Sequence, residues 1–147
     1  RMLEGKGGWQ DCSSRVNAVC DCYGPTDFLW YHTHAKDNPL LSDVFKDKNG
    51  MDVLSKLVGG RFWERPGLCR QASPLSYVSK DDPPFLIIHG DADLLVPHHQ
   101  SELLEAALRK AGVSVRFVTI PGGPHGGDTV AKGLPTALDW LASELRP

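Results

Sequence analysis

Asp93 and His125 are the residues whose type and setting could do chemistry together. Asp93 follows a short apolar run in FLIIHGDADLLVP, residues 85–97, and His125 sits in the glycine- and proline-rich PGGPHGG, residues 121–127. An imidazole on a glycine-flanked loop can reach a substrate and take the proton of a weak hydroxyl nucleophile. A carboxylate behind it fixes its tautomer and stabilises its charged form. Acid then base is the chain order of the last two members of a Ser–Asp–His triad. Asp91 is a second candidate for the acid; its alternative role is to shape the turn leaving the strand.

The third member is missing. No G-x-S-x-G occurs in the chain. Ser13 and Ser14 precede the first strand, Ser73 precedes a proline and Ser101 falls within a helix. None occupies a strand-to-helix elbow between small residues, so none is read as the nucleophile. The oxyanion donors, which belong beside the nucleophile and on an earlier loop, are missing with it.

The remaining candidates have plainer readings. His89 ends a buried strand and is read as a hydrogen-bonded structural histidine. His98 and His99 open a helix and are expected to face solvent. His32 and His34 form an H-x-H without a third ligand, and Cys12, Cys20, Cys22 and Cys69 lack the second pair that a zinc site requires. The cysteines are read as buried free thiols. No metal and no cofactor is expected. Trp30 and Trp63 could stack on a sugar or aromatic acid, although packing anchors are the commoner use of such residues.

The elements that must position this pair are legible in the pattern. Residues 15–23 form a β-prone run with Val16, Ala18, Cys20 and Cys22 on one face, stopped by Gly24-Pro25. Thr26 or Asp27 can cap a short helix over Phe28, Leu29 and Trp30. Residues 32–82 read as an irregular helical insertion, with one piece over 51–58 and another from Pro66 to about Ala72. From residue 85 the pattern turns regular: a strand over 85–89, a helix over 97–111 closed by Gly112, and a strand over 113–120. The first of these helices carries an apolar stripe of Leu103, Leu104, Ala107, Leu108 and Ala111. A last helix, capped by Asp128 or Thr129, is expected to bury Leu134, Leu138, Leu141 and Leu145. Alternating apolar strands and amphipathic helices imply an α/β class with parallel pairing and right-handed crossovers. In such sheets ligands bind beyond the carboxyl ends of the strands, where both Asp93 and His125 fall.

At 147 residues the chain has one domain's worth of sequence, with 41% hydrophobic and 23% charged residues, as in ordinary globular proteins. A net charge of −2 without a basic cluster argues against nucleic acid or an anionic membrane as partner. No apolar run reaches the length of a bilayer span.

The segments VNAVCDCYGPTDF and SPLSYVSKDDPPFLIIHGDADLLVPHHQSELLEAALRKAGVSVRFVTIPGGPHGG together resemble α/β-hydrolase esterases related to bifunctional feruloyl and acetylxylan esterases. The likeness spans nearly the whole chain and is weakest over residues 32–70. It implies the C-terminal part of an α/β-hydrolase fold over residues 1–147, with three parallel strands, flanking helices and the insertion at about 32–82. It makes Asp93, rather than Asp91, the triad acid and His125 the base. It implies a carboxylic-ester hydrolase working through an acyl-enzyme on acetylated or feruloylated carbohydrate or on smaller esters, with a secreted or periplasmic setting. The opening at Arg1 and the absent serine elbow lead to the expectation that the nucleophile half of the same domain lies outside this sequence, leaving the isolated chain inactive. A prolyl-oligopeptidase-type peptidase and a non-catalytic module of the same fold are the alternatives.

Overall fold

The computed structural model describes residues 7–8, 11–34 and 53–146. Three strands form one parallel sheet in the order β1-β2-β3: β1 Val19–Cys22, β2 Phe85–Gly90 and β3 Val115–Ile120. Val19 stands opposite Phe85, and Phe85 opposite Val115, so the three strands end at a common edge. The helices are α1 Phe28–His34, α2 Val53–Leu57, α3 Pro66–Ala72, α4 His99–Ala111 and α5 Gly127–Glu144, with 3-10 turns at Phe62–Glu64 and Pro74–Tyr77.

Strand alternation divides the core between two helices. Leu86, Ile88 and Ile120 pack with Ala137 and Trp140 of α5, while Ile87 packs with Leu104, Leu108 and Val113 on the α4 side. Leu86, Ile87, Ile88 and Leu108 are fully buried. Burying each contributes on the order of 1.5–3 kcal/mol relative to exposure. That both neighbours of Ile87 face the opposite helix explains why β2 reads as continuously apolar: a central parallel strand has no wet side.

β1 is shorter than the β-prone run 15–23, because pairing with β2 begins only where Val19 N–H donates to Pro84 O, 3.0 Å. Upstream, Arg15 donates from its guanidinium to Asp81 O instead. β3 likewise starts at Val115 rather than 113, and α4 at His99 rather than 97. Gly112 closes α4 in the left-handed conformation, φ 81°, as its position after the last apolar residue requires.

α5 departs from the expected stripe. It buries Thr129, Gly133, Ala137 and Trp140, and leaves Leu134, Leu138 and Leu145 exposed. The reason is steric: at Gly133 a Cβ would stand 2.7 Å from Ile88 Cγ2, so the helix lies too close to the sheet for a leucine face. Only Leu141, half-buried, joins the core from the leucine set. Neither Asp128 nor Thr129 caps this helix; its N-cap is Gly126, and Thr129 Oγ1 instead donates to Pro124 O.

The described part of the 32–82 segment packs Val58, Phe62 and Cys69 with Phe28 of α1 in a small core. Asp27 is the residue that caps α1, its Oδ1 accepting from Leu29 and Trp30 N–H. Thr26 is occupied elsewhere: its N–H and Oγ–H both go to Gln100, which ties the β1 exit to the start of α4. Residues 51–52 and the side chains of His32 and His34 lie outside the described residues. All four cysteines are free thiols, as expected, but only Cys69 is buried; Cys12 is exposed and Cys20 and Cys22 are half-buried. Burial pushes the Cys20 thiol up to about 11, with Cys22 and Asp21 adding to the effect.

Candidate active site

The loops after β2 and β3 are sewn together at the sheet edge. Ala92 N–H donates to Gly123 O at 3.1 Å, Asp91 N–H to Ile120 O at 3.3 Å, and Gly122 N–H to Asp91 Oδ1 at 2.6 Å. Gly90 permits the closest approach. A Cβ there would meet Gly123 O at 2.0 Å, so only glycine lets the second loop lie across the end of β2.

This stitching brings Asp93 and His125 together. His125 Nδ1 is 2.7 Å from Asp93 Oδ2. A carboxylate only accepts, so Nδ1 carries the proton and Nε2 is left with a lone pair. Asp93 Oδ1 accepts from the N–H groups of Leu95 and Val96, each at 2.8 Å, which fixes the plane of the carboxylate. The Asp93 side chain is wholly buried, whereas the His125 ring is 30% exposed. Burial raises the Asp93 carboxyl, but donors from His89, Val96, His125 and Leu95 together outweigh it and hold it below the usual carboxylate range. Asp93 is therefore ionised and hidden, and His125 is oriented and reachable.

Asp91, the other candidate acid, does not face the histidine. It is exposed and holds the His125 loop by its bond from Gly122 N–H. Of the serines, Ser73 accepts from Phe28 N–H and donates to Cys69 O, and Ser101 is fully buried against His89, so neither is presented to a substrate. His99 is exposed as expected. His98 is not a solvent residue: its ring stacks on Phe117, 5.0 Å between centroids, and its Nε2 lies 2.9 Å from Thr119 Oγ1. No group of three or more potential metal ligands exists among the described residues.

The sequence reading took Tyr23 only as the end of the first strand and gave it no place in the site. It follows β1 with φ 47°, an uncommon backbone for a tyrosine, and its ring lies 4.4 Å from that of His125. Its position was the available signal: an aromatic at a strand's carboxyl end, before Gly24-Pro25, shares the edge on which the acid and the base stand. Tyr31 was missed as well. It is 2% exposed, and its phenol is pushed up by burial and by the Asp93 charge. No helix among the described residues is long and apolar enough to cross a membrane.

Known proteins carry the same arrangement of elements. The chain is 43% identical over 125 residues to Esterase LipQ of Mycobacterium tuberculosis, an alignment covering 84% of this chain and 27% of that protein. It superposes on a truncated form of a carbohydrate esterase from gut microbiota with TM-score 0.75 and 31% identity, covering 97% of this chain and 47% of that one. A bifunctional GH43-CE protein of Bacteroides eggerthii gives TM-score 0.74 and 30% identity, covering 97% and 17%. The chain thus spans about a quarter of the curated relative and about half of the esterase structure, and its sheet is the C-terminal part of an α/β-hydrolase fold. The model of the BD-FAE family matches residues 3–108, more than two thirds of the sequence, and the chain belongs to that family.

Proposed function

We propose that this chain supplies the acid and the base of a Ser–Asp–His triad in a carboxylic-ester hydrolase. The observation that carries the reading is the 2.7 Å bond from His125 Nδ1 to a buried Asp93 carboxylate whose other oxygen is already held by two backbone N–H groups. The nucleophilic serine and the oxyanion donors come from the part of the domain outside this sequence, which pairs with the edge of β1 that no described strand occupies. Residues 1–147 then form one portion of a single hydrolase domain, with residues 32–82 as its helical insertion.

In this reading the serine Oγ–H proton passes to His125 Nε2 as the Oγ–C bond to the acyl carbon forms. His125 returns that proton to the departing alcohol oxygen as the ester bond breaks. Water then repeats the sequence on the acyl-enzyme, releasing the carboxylic acid. Asp93 stays ionised throughout and stabilises the imidazolium. Substrates are acetylated or feruloylated carbohydrates or smaller esters; the likeness to carbohydrate esterases supports the first class.

The test is ester hydrolysis by the protein that includes the serine-bearing segment. Changing His125 to Ala should cut kcat by about six orders of magnitude with a chromogenic acetyl ester. The 147-residue chain alone should show no turnover above its own His125→Ala control. Activity of the isolated chain that disappears on changing one of its own serines would overturn the reading. Turnover of aminoacyl amides in preference to esters would shift it to a peptidase that uses the same pair.

A further inference from the structure

The acid of the pair rests on a second histidine that the proposed reaction does not use. His89, the penultimate residue of β2, is 0% exposed. Its Nε2 lies 2.9 Å from Val96 O and 3.2 Å from Asp93 Oδ2. Both are acceptors only, so Nε2 must carry a proton, shared between them. Its Nδ1 lies 2.6 Å from the hydroxyl of Ser101 on α4, which is also fully buried. A hydroxyl can donate or accept, so it fills the Nδ1 lone pair of the neutral ring by donating its own proton.

With His89 in this tautomer, Asp93 receives four donors: Leu95 and Val96 N–H on Oδ1, and His125 Nδ1–H and His89 Nε2–H on Oδ2. That number fills the lone-pair capacity of a carboxylate. The groups near His89 from elsewhere are the ring of His98 at 5.5 Å, the ring of Tyr23 at 6.3 Å, and the Asp21 carboxyl on β1. None of these provides an alternative acceptor for Nε2–H in the bonds described.

We propose that His89 is a positioning residue for the acid: a neutral imidazole, its tautomer set by Ser101, whose Nε2–H braces Asp93 Oδ2 so that the carboxylate stays aimed at His125. The chain Ser101–His89–Asp93–His125 thereby runs from the interior face of α4 to the exposed ring. This rests on the assignment of Asp93 and His125 above and adds a residue to it. The sequence hid this role because a buried histidine and a serine in the first turn of a helix, twelve positions apart, each have an ordinary structural explanation.

Nitrogen-15 imidazole correlation spectra of the protein that includes the serine-bearing segment test the inference. His89 should show the neutral, Nε2-protonated pattern, and His125 a low-field Nδ1–H that exchanges slowly with water. In His89→Leu, with folding checked by amide dispersion, that exchange should quicken about tenfold or more, as expected for loss of a bond to a charged group. His89→Gln, whose side-chain N–H can still donate, should restore part of the protection. A folded His89→Leu chain with unchanged His125 exchange, or a His89 protonated on Nδ1 alone, overturns the proposal. Should His89→Leu not fold, Ser101→Ala decides: it keeps the ring and removes its support. His125 exchange should then rise about threefold; an unchanged rate refutes the role. These readouts concern bonds within the chain, so an ester-hydrolysis failure of the whole protein and a failure of the brace are told apart.

Discussion

Gly90→Ala is the sharpest perturbation available, because it changes one methyl group at the point where the two site loops touch. The added Cβ would sit 2.0 Å from Gly123 O, 2.4 Å from its carbonyl carbon and 2.8 Å from its Cα. All three are backbone atoms, with no rotamer to move. Restoring an ordinary contact of about 3.4 Å requires a separation about 1.4 Å larger than the one available. The bonds that would resist this are those of Gly123 N to Ile120 O, Ala92 N to Gly123 O and Gly122 N to Asp91 Oδ1. Two of them lie on the Asp93 loop, so the strain is delivered to both partners of the 2.7 Å Asp93–His125 bond.

Overpacking of this kind costs typically about 1–3 kcal/mol, and its backbone character places Gly90→Ala at about 3. For a domain of this size that is a fall in Tm of about 9 °C, at roughly 3 °C per kcal/mol. A displacement near 1 Å at a catalytic group costs about a hundredfold in rate, which the whole protein should show in kcat. Thermal melts of the chain and the low-field His125 proton provide the assay. A Gly90→Ala chain that melts within about 1 °C of the parent and keeps a slowly exchanging His125 Nδ1–H would refute the claim that the loop crossing over Gly90 places the pair.

Three further outcomes are expected. Because the Asp93 carboxyl is held below its ordinary value, it contributes stability that is fully present above its unfolded-state value, about 3.9, and is lost as pH falls through the lower folded value. Melts should therefore decline below about pH 4, and Asp93→Asn should flatten that limb; an unchanged acid limb would mean that other groups govern it. Gly133→Ala should cost about 1–3 kcal/mol through contact with Ile88, and combining it with Ile88→Ala should show a coupling of at least about 0.5 kcal/mol in a double-mutant cycle; strict additivity would disprove the contact. The chain should self-associate through the side of β1 that no described strand pairs and the exposed Leu134, Leu138 and Leu145, with Leu138→Lys shifting sedimentation toward monomer; a sharply melting monomer at high concentration would show that these surfaces are covered.

What the sequence disclosed and what it withheld follow from how local each feature is. The parallel sense and the edge on which Asp93 and His125 meet were legible, because buried parallel strands must be apolar throughout and their loops must end together. The choice between Asp91 and Asp93 was not decided by residue type, since both follow Gly90 within three positions; the resemblance pointed to Asp93. The structure separates them through the backbone: the turn at 93–96 aims two N–H groups at Asp93 Oδ1, while Asp91 is taken by Gly122. The leucine stripe of α5 misled for a related reason. Periodicity reports which face is most apolar, but the helix seats its smallest residues, Gly133 and Ala137, where the sheet approaches closest.

The same reasoning accounts for why polar side chains occur so deep beneath this edge. A carboxylate with no exposed surface is tolerated only where enough donors meet it. Four meet Asp93, and two of them come from histidines on different loops or strands. Removing either histidine leaves a buried charge with fewer partners, so each substitution should disturb the acid as well as the ring it deletes. His89 and His125 are then distinguishable by exposure alone. His125 presents its free nitrogen at the surface and can exchange a proton with a substrate, whereas His89, with both nitrogens occupied and no exposed atom, can only hold its neighbour in place. A buried histidine beside a buried aspartate is thus part of how the exposed histidine is kept ready, and that connection is three-dimensional: it joins β2, the loop after it, α4 and the loop after β3.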